Sequence, residues 1–512
     1  MAASTHKNAR IASVVAGTLV ALSCGTNYAY SAWAPQFAHH MKLSSTESNL
    51  IGVAGNLGMY AMGIPMGLLT DARGPRFMTL VGSALLILGY YPIYLAYKSG
   101  EGSFPIVLLC FFAFLTGMGG CSAFGAAIKT SACNFPDHRG TATAFPLAAF
   151  GLSALFWSNV SSLIFKDDTS RFLLLLALGT SILSLVSTPF LKIFQNEPYA
   201  PLPHRDTTEP SESQSQLRRA SAVEESNDDI HNSTAFDQNN EVHARGQSVS
   251  SAHLHHRTDE SSSLVAQGDG RPSFDTLDDD YLKFVDQESH HRDIRGLAML
   301  REVDFWQLFL IMALLSGIGL MTINNIGNSA KALWLYYDDS ATGKFIHERQ
   351  VMHVSILSLG NFLGRLSSGI GSDILVKKLN MSRFWCLFIS AVVFTGTQLA
   401  GFTISNPNTL VVVTAFTGVA YGFLFGNWGV MTLAPIFSGN AFNLIYGTVY
   451  DRHSVVGPDG DNQCPDGLTC YRTAYYVTLI SGLAGIVVCL WSIFRERRIH
   501  NAMRQKTGHR LA

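Results

Sequence analysis

Apolar residues run along this chain in blocks of about twenty, and the blocks come in two sets of six. The first set covers residues 11–31, 48–70, 77–97, 104–127, 141–164 and 171–194. After a long polar gap, the second set covers 305–326, 350–372, 384–404, 408–428, 430–450 and 472–494. A helix of about that length crosses roughly 30 Å of hydrocarbon. Lipid gives backbone amides no partner outside the helix, so a continuous helix is the expected form of each block. The pattern predicts an all-α integral membrane fold of 12 transmembrane helices, called spans 1–12 here, in two six-helix bundles. The predicted divisions are 1–194 for the first bundle, 195–303 for a linker, 304–494 for the second bundle and 495–512 for a basic tail. The linker is rich in Ser, His, Asp, Glu and Asn. It carries too little apolar surface to offset the entropy of ordering and is expected to be mostly disordered.

Composition agrees with the pattern and excludes other classes. Only 14% of residues are charged, against about a quarter in ordinary soluble domains, while 47% are apolar and 32 are Phe. A net charge of −1 offers no field for nucleic acid. No cofactor or metal site is expected. The eight cysteines lack metal-ligand spacing, and His253–His256 in the linker has no companion ligand set. The first block is too long for a cleaved signal and is expected to stay in the mature protein. Basic residues favour the side that holds both termini and the linker, thirteen to nine, so that side is expected to be cytoplasmic. Asn232 and Asn380 fall on the same side and are not expected to carry sugar, and Asn159 lies too close to the membrane.

The two sets repeat one another. Leu57, Gly58, Gly67 and Asp71 of span 2 match Leu359, Gly360, Gly369 and Asp373 of span 8 at one constant offset. Thr116-Gly117 of span 4 similarly matches Thr417-Gly418 of span 10. The bundles therefore read as pseudo-symmetric, with a site between them near mid-membrane.

The segment GLLTDARGPRF resembles the loop between helices 2 and 3 that marks the major facilitator superfamily. Gly67, Asp71, Gly74 and Arg76 fit that pattern, with Arg73 displaced by one position. The resemblance implies a gating latch. Gly67 would let span 2 approach a neighbour, and Asp71 would bond a helix N-terminus or a basic side chain, with Gly369 and Asp373 as its copy. GTNYAYSAWAPQF, NLGMY, NFPDHRGTATA, DFWQLF, GLMTINNIGN and the closing YD…C…CYRTAYY resemble the nodulin-like and fungal monocarboxylate-transporter-homologue branch. That branch implies membrane transport, often at a fungal vacuole, with no defined substrate.

Arg365 is the leading site candidate. It lies eight residues from Asp373, about 12 Å deeper along span 8, where a guanidinium must face a cavity or a partner. It either binds a substrate carboxylate side-on or makes a structural pair. In true monocarboxylate transporters an Asp precedes the equivalent Arg by four residues and a Lys stands in helix 1. Here those places hold Asn361 and Ala32, which argues against lactate–proton symport of that kind. No Asp or Glu lies within any span, and His353 reads as an interfacial residue rather than a proton carrier. Asn27 and Tyr28 of span 1, Asn324 and Asn325 of span 7 and Tyr421 of span 10 are cavity candidates, or simply bonds between helices.

Cys464 and Cys470, with Pro and Gly between them, are expected to form a disulfide if their side of the membrane is oxidising. Ser221, in LRRAS, has the setting basophilic kinases favour, so a protein kinase is an expected partner of the linker. The other expected partners are lipid and a small solute, and the chain is expected to be a monomer. Spans 10 and 11 leave little beyond Asn427-Trp428-Gly429 to join them, where the first half has NFPDHRG. The function expected is a transporter or facilitator of a small solute, an organic anion or monocarboxylate, at the vacuolar or plasma membrane. The alternative is a non-transporting sensor signalling through the linker.

Overall fold

The computed structural model describes residues 2–136, 139–165, 168–194, 300–338, 340–377, 382, 384–427, 434–456 and 462–510. Most of the expected linker, with Ser221, His253–His256 and Asn232, lies outside these residues. So do Asn380 and residues 428–433, the link between spans 10 and 11.

The first half contains α1 (Ala2–Cys24), α2 (Tyr30–Met41), α3 (Ser45–Ala61), α4 (Gly63–Arg73), α5 (Pro75–Ser99), α6 (Ile106–Asn134), α7 (Arg139–Phe165) and α8 (Thr169–Ser187). The second contains α9 (Val303–Tyr337), α10 (Gly343–Lys377), α11 (Phe384–Thr403), α12 (Leu410–Asn427), α13 (Ala434–Arg452) and α14 (Arg472–Arg510). Helices α1 and α2, joined through the 3-10 turn Gly25–Ala29, make one rod, and α3 with α4 make another. The described residues thus form six rods in each half.

Eight described helical segments are long and apolar enough to cross a membrane, and α3 with α4 make a ninth bent by 44°. The bend has a local cause. Pro65 lacks an N–H and its ring clashes with the carbonyl four residues back, that of Ala61, where α3 ends. The remaining rods are shorter or more polar than a lipid-facing span. In α10, Gln350, His353, Ser358, Asn361, Arg365 and Ser368 are all buried, while Leu359 and Leu363 face outward. Polar residues are tolerated in a span when they turn toward protein.

The internal repeat marks the closest helix crossings. A methyl added to Gly117 of α6 would strike the carbonyl oxygen of Gly55 in α3, and one on Gly58 would strike that of Phe114. In the second half, Gly418 of α12 lies against the carbonyl of Leu357, and Gly360 of α10 against that of Ala415. Both bundles therefore use glycine to bring two backbones together, the usual device where lipid removes the hydrophobic drive for association. The matching Gly67 behaves differently. Nothing lies within 4 Å of the place its Cβ would occupy, so the expected close approach at that position is absent.

Both halves begin and end at one face. Ser13 of α1 donates to the carbonyl of Lys192 beyond α8 (3.1 Å), and Arg495 of α14 pairs with Asp304 of α9. At the opposite face Cys464 and Cys470 form a disulfide with their Cα atoms 6.0 Å apart. Gly467, at φ +59°, lets that loop pack on Tyr336 at the end of α9. Tyr471 stacks on Tyr446 of α13 with ring centres 6.2 Å apart.

Replacing Gly117 or Gly418 with Leu should cost roughly 2 kcal/mol or more by overpacking. Thermal melting in detergent should show both variants clearly destabilised, with Gly67→Leu unchanged. Equal melting of all three would contradict the crossing.

Candidate functional site

The two bundles meet around Arg365. Its position on α10 turns the guanidinium toward the first half, where it is 5% exposed. Nε donates to Asn361 Oδ1 (2.9 Å) one helical turn earlier. One terminal nitrogen donates to the carbonyl of Leu147 in α7 (3.1 Å), and the other to the hydroxyl of Tyr28 (3.2 Å). The rings of Phe150 and Phe425 lie 5.3 and 6.0 Å from the guanidinium carbon. Gly151 leaves the room, since a Cβ there would come within 3.3 Å of Arg365.

Phenols continue the cluster across the halves. The hydroxyls of Tyr60 (α3) and Tyr421 (α12) are 2.8 Å apart, and Tyr421 meets Tyr28 edge-on at 5.7 Å. Tyr60 also stacks over Phe425. Gly319 of α9 makes space for the Tyr421 ring. All three phenols are buried.

The hydrogen-bond inventory leaves donors over. A guanidinium has five N–H groups in a planar fork and cannot lose its charge in a protein. Among the described residues three are committed to neutral acceptors, so two remain. The amide nitrogens of Asn361, Asn56 and Asn324 are also buried without a partner among the described residues. Asn56 shares a face of α3 with Gly52 and Tyr60, four residues to either side. Gly52 abuts Asn324 and Tyr60 meets Tyr421, so that face looks toward the second half.

The structure therefore brings together Tyr28, Asn361, Arg365 and Tyr421 of the expected site residues, with Asn324 nearer the disulfide face. Two others have local partners. Asn27 donates to the carbonyl of Gly55 (3.1 Å), binding the first rod to α3. Asn325 donates to Asn443 of α13 (2.8 Å) inside the second bundle. His353, expected at the interface, is fully buried and 3.0 Å from the Thr414 hydroxyl. Tyr60, Phe150, Phe425 and Asn56 were not anticipated. The aromatic–glycine strings that contain them gave no sign of which faces meet across the halves.

Of the latch residues, Asp71 has a basic partner of the kind expected. Asp71 pairs with Lys129 of α6, within its own half. Arg76 donates to the carbonyl of Leu191 (2.9 Å) and to that of Pro189, tying the start of α5 to the end of α8. Arg73 lies over the Phe77 ring at 5.8 Å, and Gly74 adopts φ +84° between α4 and α5. Gly369 and Asp373 lie on α10, with side chains outside the described set. In α4 itself, Thr70 is the one buried residue, and Ile64, Leu68 and Leu69 are exposed. The segment packs on α6 and α5 of its own half and turns Ile64, Leu68 and Leu69 outward.

Toward the disulfide face, the halves are zipped together. Ser31 of α2 donates to the carbonyl of Ile323 (2.7 Å), and Gln36 donates to Gln350. Ser358 of α10 donates to the carbonyl of Gly151 (2.8 Å) and accepts from the Leu155 N–H (3.0 Å). Asp451, at the end of α13, accepts from the backbone N–H groups of Ser45 (2.6 Å) and Thr46 (2.8 Å). One bundle thus supplies the carboxylate that caps a helix N-terminus of the other.

Residues 10–216 match the Nodulin-like family. An uncharacterised membrane protein of Saccharomyces cerevisiae is 26% identical over 98% of this chain and 98% of its own length. "Probable transporter mch1" of Emericella nidulans is 23% identical over 96% of this chain and 87% of its own. A bacterial homologue of the human lysosomal transporter Spinster, solved inward-facing, superposes with TM-score 0.51 at 13% identity, covering 94% of this chain and 95% of that one. The xylose transporter XylE from E. coli, partially occluded and inward open, gives TM-score 0.52 at 13% identity, covering 94% and 99%. The chain shares the major facilitator fold of these transporter structures and is similar to the nodulin-like and MCH1-related proteins. Its many long apolar helices make it a multi-pass membrane protein.

Removing a helix cap of this kind costs about 1 kcal/mol. Asp451→Ala should therefore raise the open fraction of the disulfide face about fivefold. The readout is the alkylation rate of a Ser31→Cys probe in detergent, measured against the native thiols. An unchanged rate would show that Asp451 does not hold the seal.

Proposed function

We propose that this transporter carries a small organic anion of the monocarboxylate type by alternating access, with the two bundles rocking around Arg365. The observation that carries the reading is a buried guanidinium whose acceptors are all neutral and which keeps two N–H groups in hand. A carboxylate matches that fork with two parallel bonds, and charge-assisted bonds are the strong ones in a low-dielectric site. The phenols of Tyr28, Tyr60 and Tyr421 and the amides of Asn361, Asn56 and Asn324 supply further hydrogen bonds. Phe150 and Phe425 supply an apolar body. Such a lining suits a compact anion with a short hydrocarbon part.

Alternating access also fits the uneven seam, zipped across the halves at the disulfide face, whereas the bonds of α4 and α5 near the other face stay within the first half. On this reading both termini and the linker face the cytoplasm, as the basic residues indicate. The vacuolar membrane is its setting, in keeping with the family resemblance, and the transporting unit is a monomer. Ser221 in the linker is then open to a cytoplasmic kinase.

The test is uptake of radiolabelled pyruvate and acetate into reconstituted vesicles. A hydrogen bond to a charged group is worth about 1.5–3 kcal/mol, so Arg365→Gln should reduce uptake at least about tenfold. Tyr60→Phe, which keeps the ring, should have a smaller effect. Undiminished uptake by Arg365→Gln would remove the guanidinium from solute recognition.

A further inference from the structure

We infer that the carrier works by obligatory exchange: it moves one organic anion only in return for another, because its cargo must neutralise Arg365 before the bundles can reverse. This rests on the anion reading above and adds the coupling mode.

The argument starts from what surrounds the charge. Asn361, the Leu147 carbonyl and Tyr28 are neutral acceptors, and Phe150 and Phe425 are apolar rings. Across the full sequence, none of the twelve spans contains Asp or Glu. The one histidine within the spans, His353, precedes Arg365 by twelve residues, about 18 Å along α10. It is itself 3.0 Å from the Thr414 hydroxyl. Among the described residues no carboxylate or imidazole lies near Arg365. The ionisable groups beside it are the phenols of Tyr28, Tyr60 and Tyr421, weak acids that keep their protons at neutral pH. Two of its bonds, to Leu147 and Tyr28, run from the second half to the first. Any rocking of the halves strains or breaks them, so the cation loses acceptors at the moment when water is also excluded.

A bound carboxylate changes that step. The guanidinium–carboxylate pair crosses the occluded state as a neutral unit, whereas a lone guanidinium crosses as a poorly solvated cation. Desolvating an unpaired charge is expected to slow the unloaded return about a hundredfold or more. Anion enters on one face, leaves on the other, and a second anion must bind before the site returns. Net charge movement is zero when both anions are monovalent.

Two measurements test this. The first needs no solute. A Ser31→Cys probe, in the seam between α2 and α9, is alkylated in detergent over the background of the six native free thiols. Arg365→Gln, which removes the charge, should raise its rate at least about tenfold. Arg365→Lys, which breaks the same cross-half bonds but keeps the charge when assayed at acidic pH, where the ammonium is held protonated, should leave the rate low. Equal rates in the Gln and Lys variants would overturn the proposal, because lost bonds rather than lost charge would then free the seam. The second compares labelled pyruvate uptake into vesicles preloaded with pyruvate and into empty ones. Preloading should accelerate uptake at least about tenfold. Equal uptake into both overturns exchange while leaving anion transport intact. Uptake into neither counts against the anion reading, and the alkylation comparison still decides whether charge blocks reversal.

Discussion

A guanidinium cannot shed its proton, so burying Arg365 between two membrane bundles forces everything around it to serve a permanent cation. The chain meets that demand with neutral groups: a carbonyl, an amide and a phenol accept, and two rings present their faces. Neutral acceptors solvate the charge without cancelling it. The bundle centre is therefore held at positive potential, and the surplus N–H groups give that potential a direction. The aromatic lining and the phenol pair Tyr60–Tyr421 follow from the same constraint, since they exclude water while offering polarisable or hydrogen-bonding surface.

The frame that holds this site depends on contacts of another kind. Helices α3 and α6, and in the second half α10 and α12, touch backbone to backbone at glycine. These crossings fix the height and rotation of the helices that carry Tyr60, Asn361, Arg365 and Tyr421. A rigid crossing is what allows a side chain to be placed within hydrogen-bond range of a different bundle. Toward the disulfide face the seam adds Ser31, Ser358 and Asp451, each donating to or accepting from the backbone of the opposite half. Backbone partners suit a surface that must part and rejoin, because they are always present and demand no particular rotamer.

Much of this architecture is visible in the sequence because lipid imposes a length and a polarity on each crossing. The twelve spans and the repeat are legible for that reason, whereas the likeness to the major facilitator superfamily rests on the resemblance of the GLLTDARGPRF segment. The repeated Leu-Gly and Thr-Gly pairs can be seen to matter, though not that they mark helix crossings. Arg365 stands out because charge in a span is rare. Its neighbours do not stand out, since the choice of face that α3, α7 or α12 turns to the other half depends on helix rotation. Tyr60, Phe150 and Phe425 therefore read as ordinary apolar aromatics. Asn27 and Asn325 stay ambiguous for the complementary reason: a buried amide looks the same in sequence whether it bonds a backbone carbonyl, another amide or a solute. Asp451 sits where a span ends and reads as loop, although its carboxylate caps a helix more than 400 positions away in sequence.

Pro65 divides the second rod into a segment locked to the partner bundle by Asp451 and a segment tied to its own half by the Asp71–Lys129 pair. Such a rod need not tilt as a stiff plank. On the proposed alternating-access cycle its first part can stay in register with the partner bundle while the second moves with α6. Opening at one mouth of the pathway then does not have to wait for release at the other. A jointed helix of this kind allows short-lived states with both mouths shut, which keeps the pathway from becoming a continuous leak.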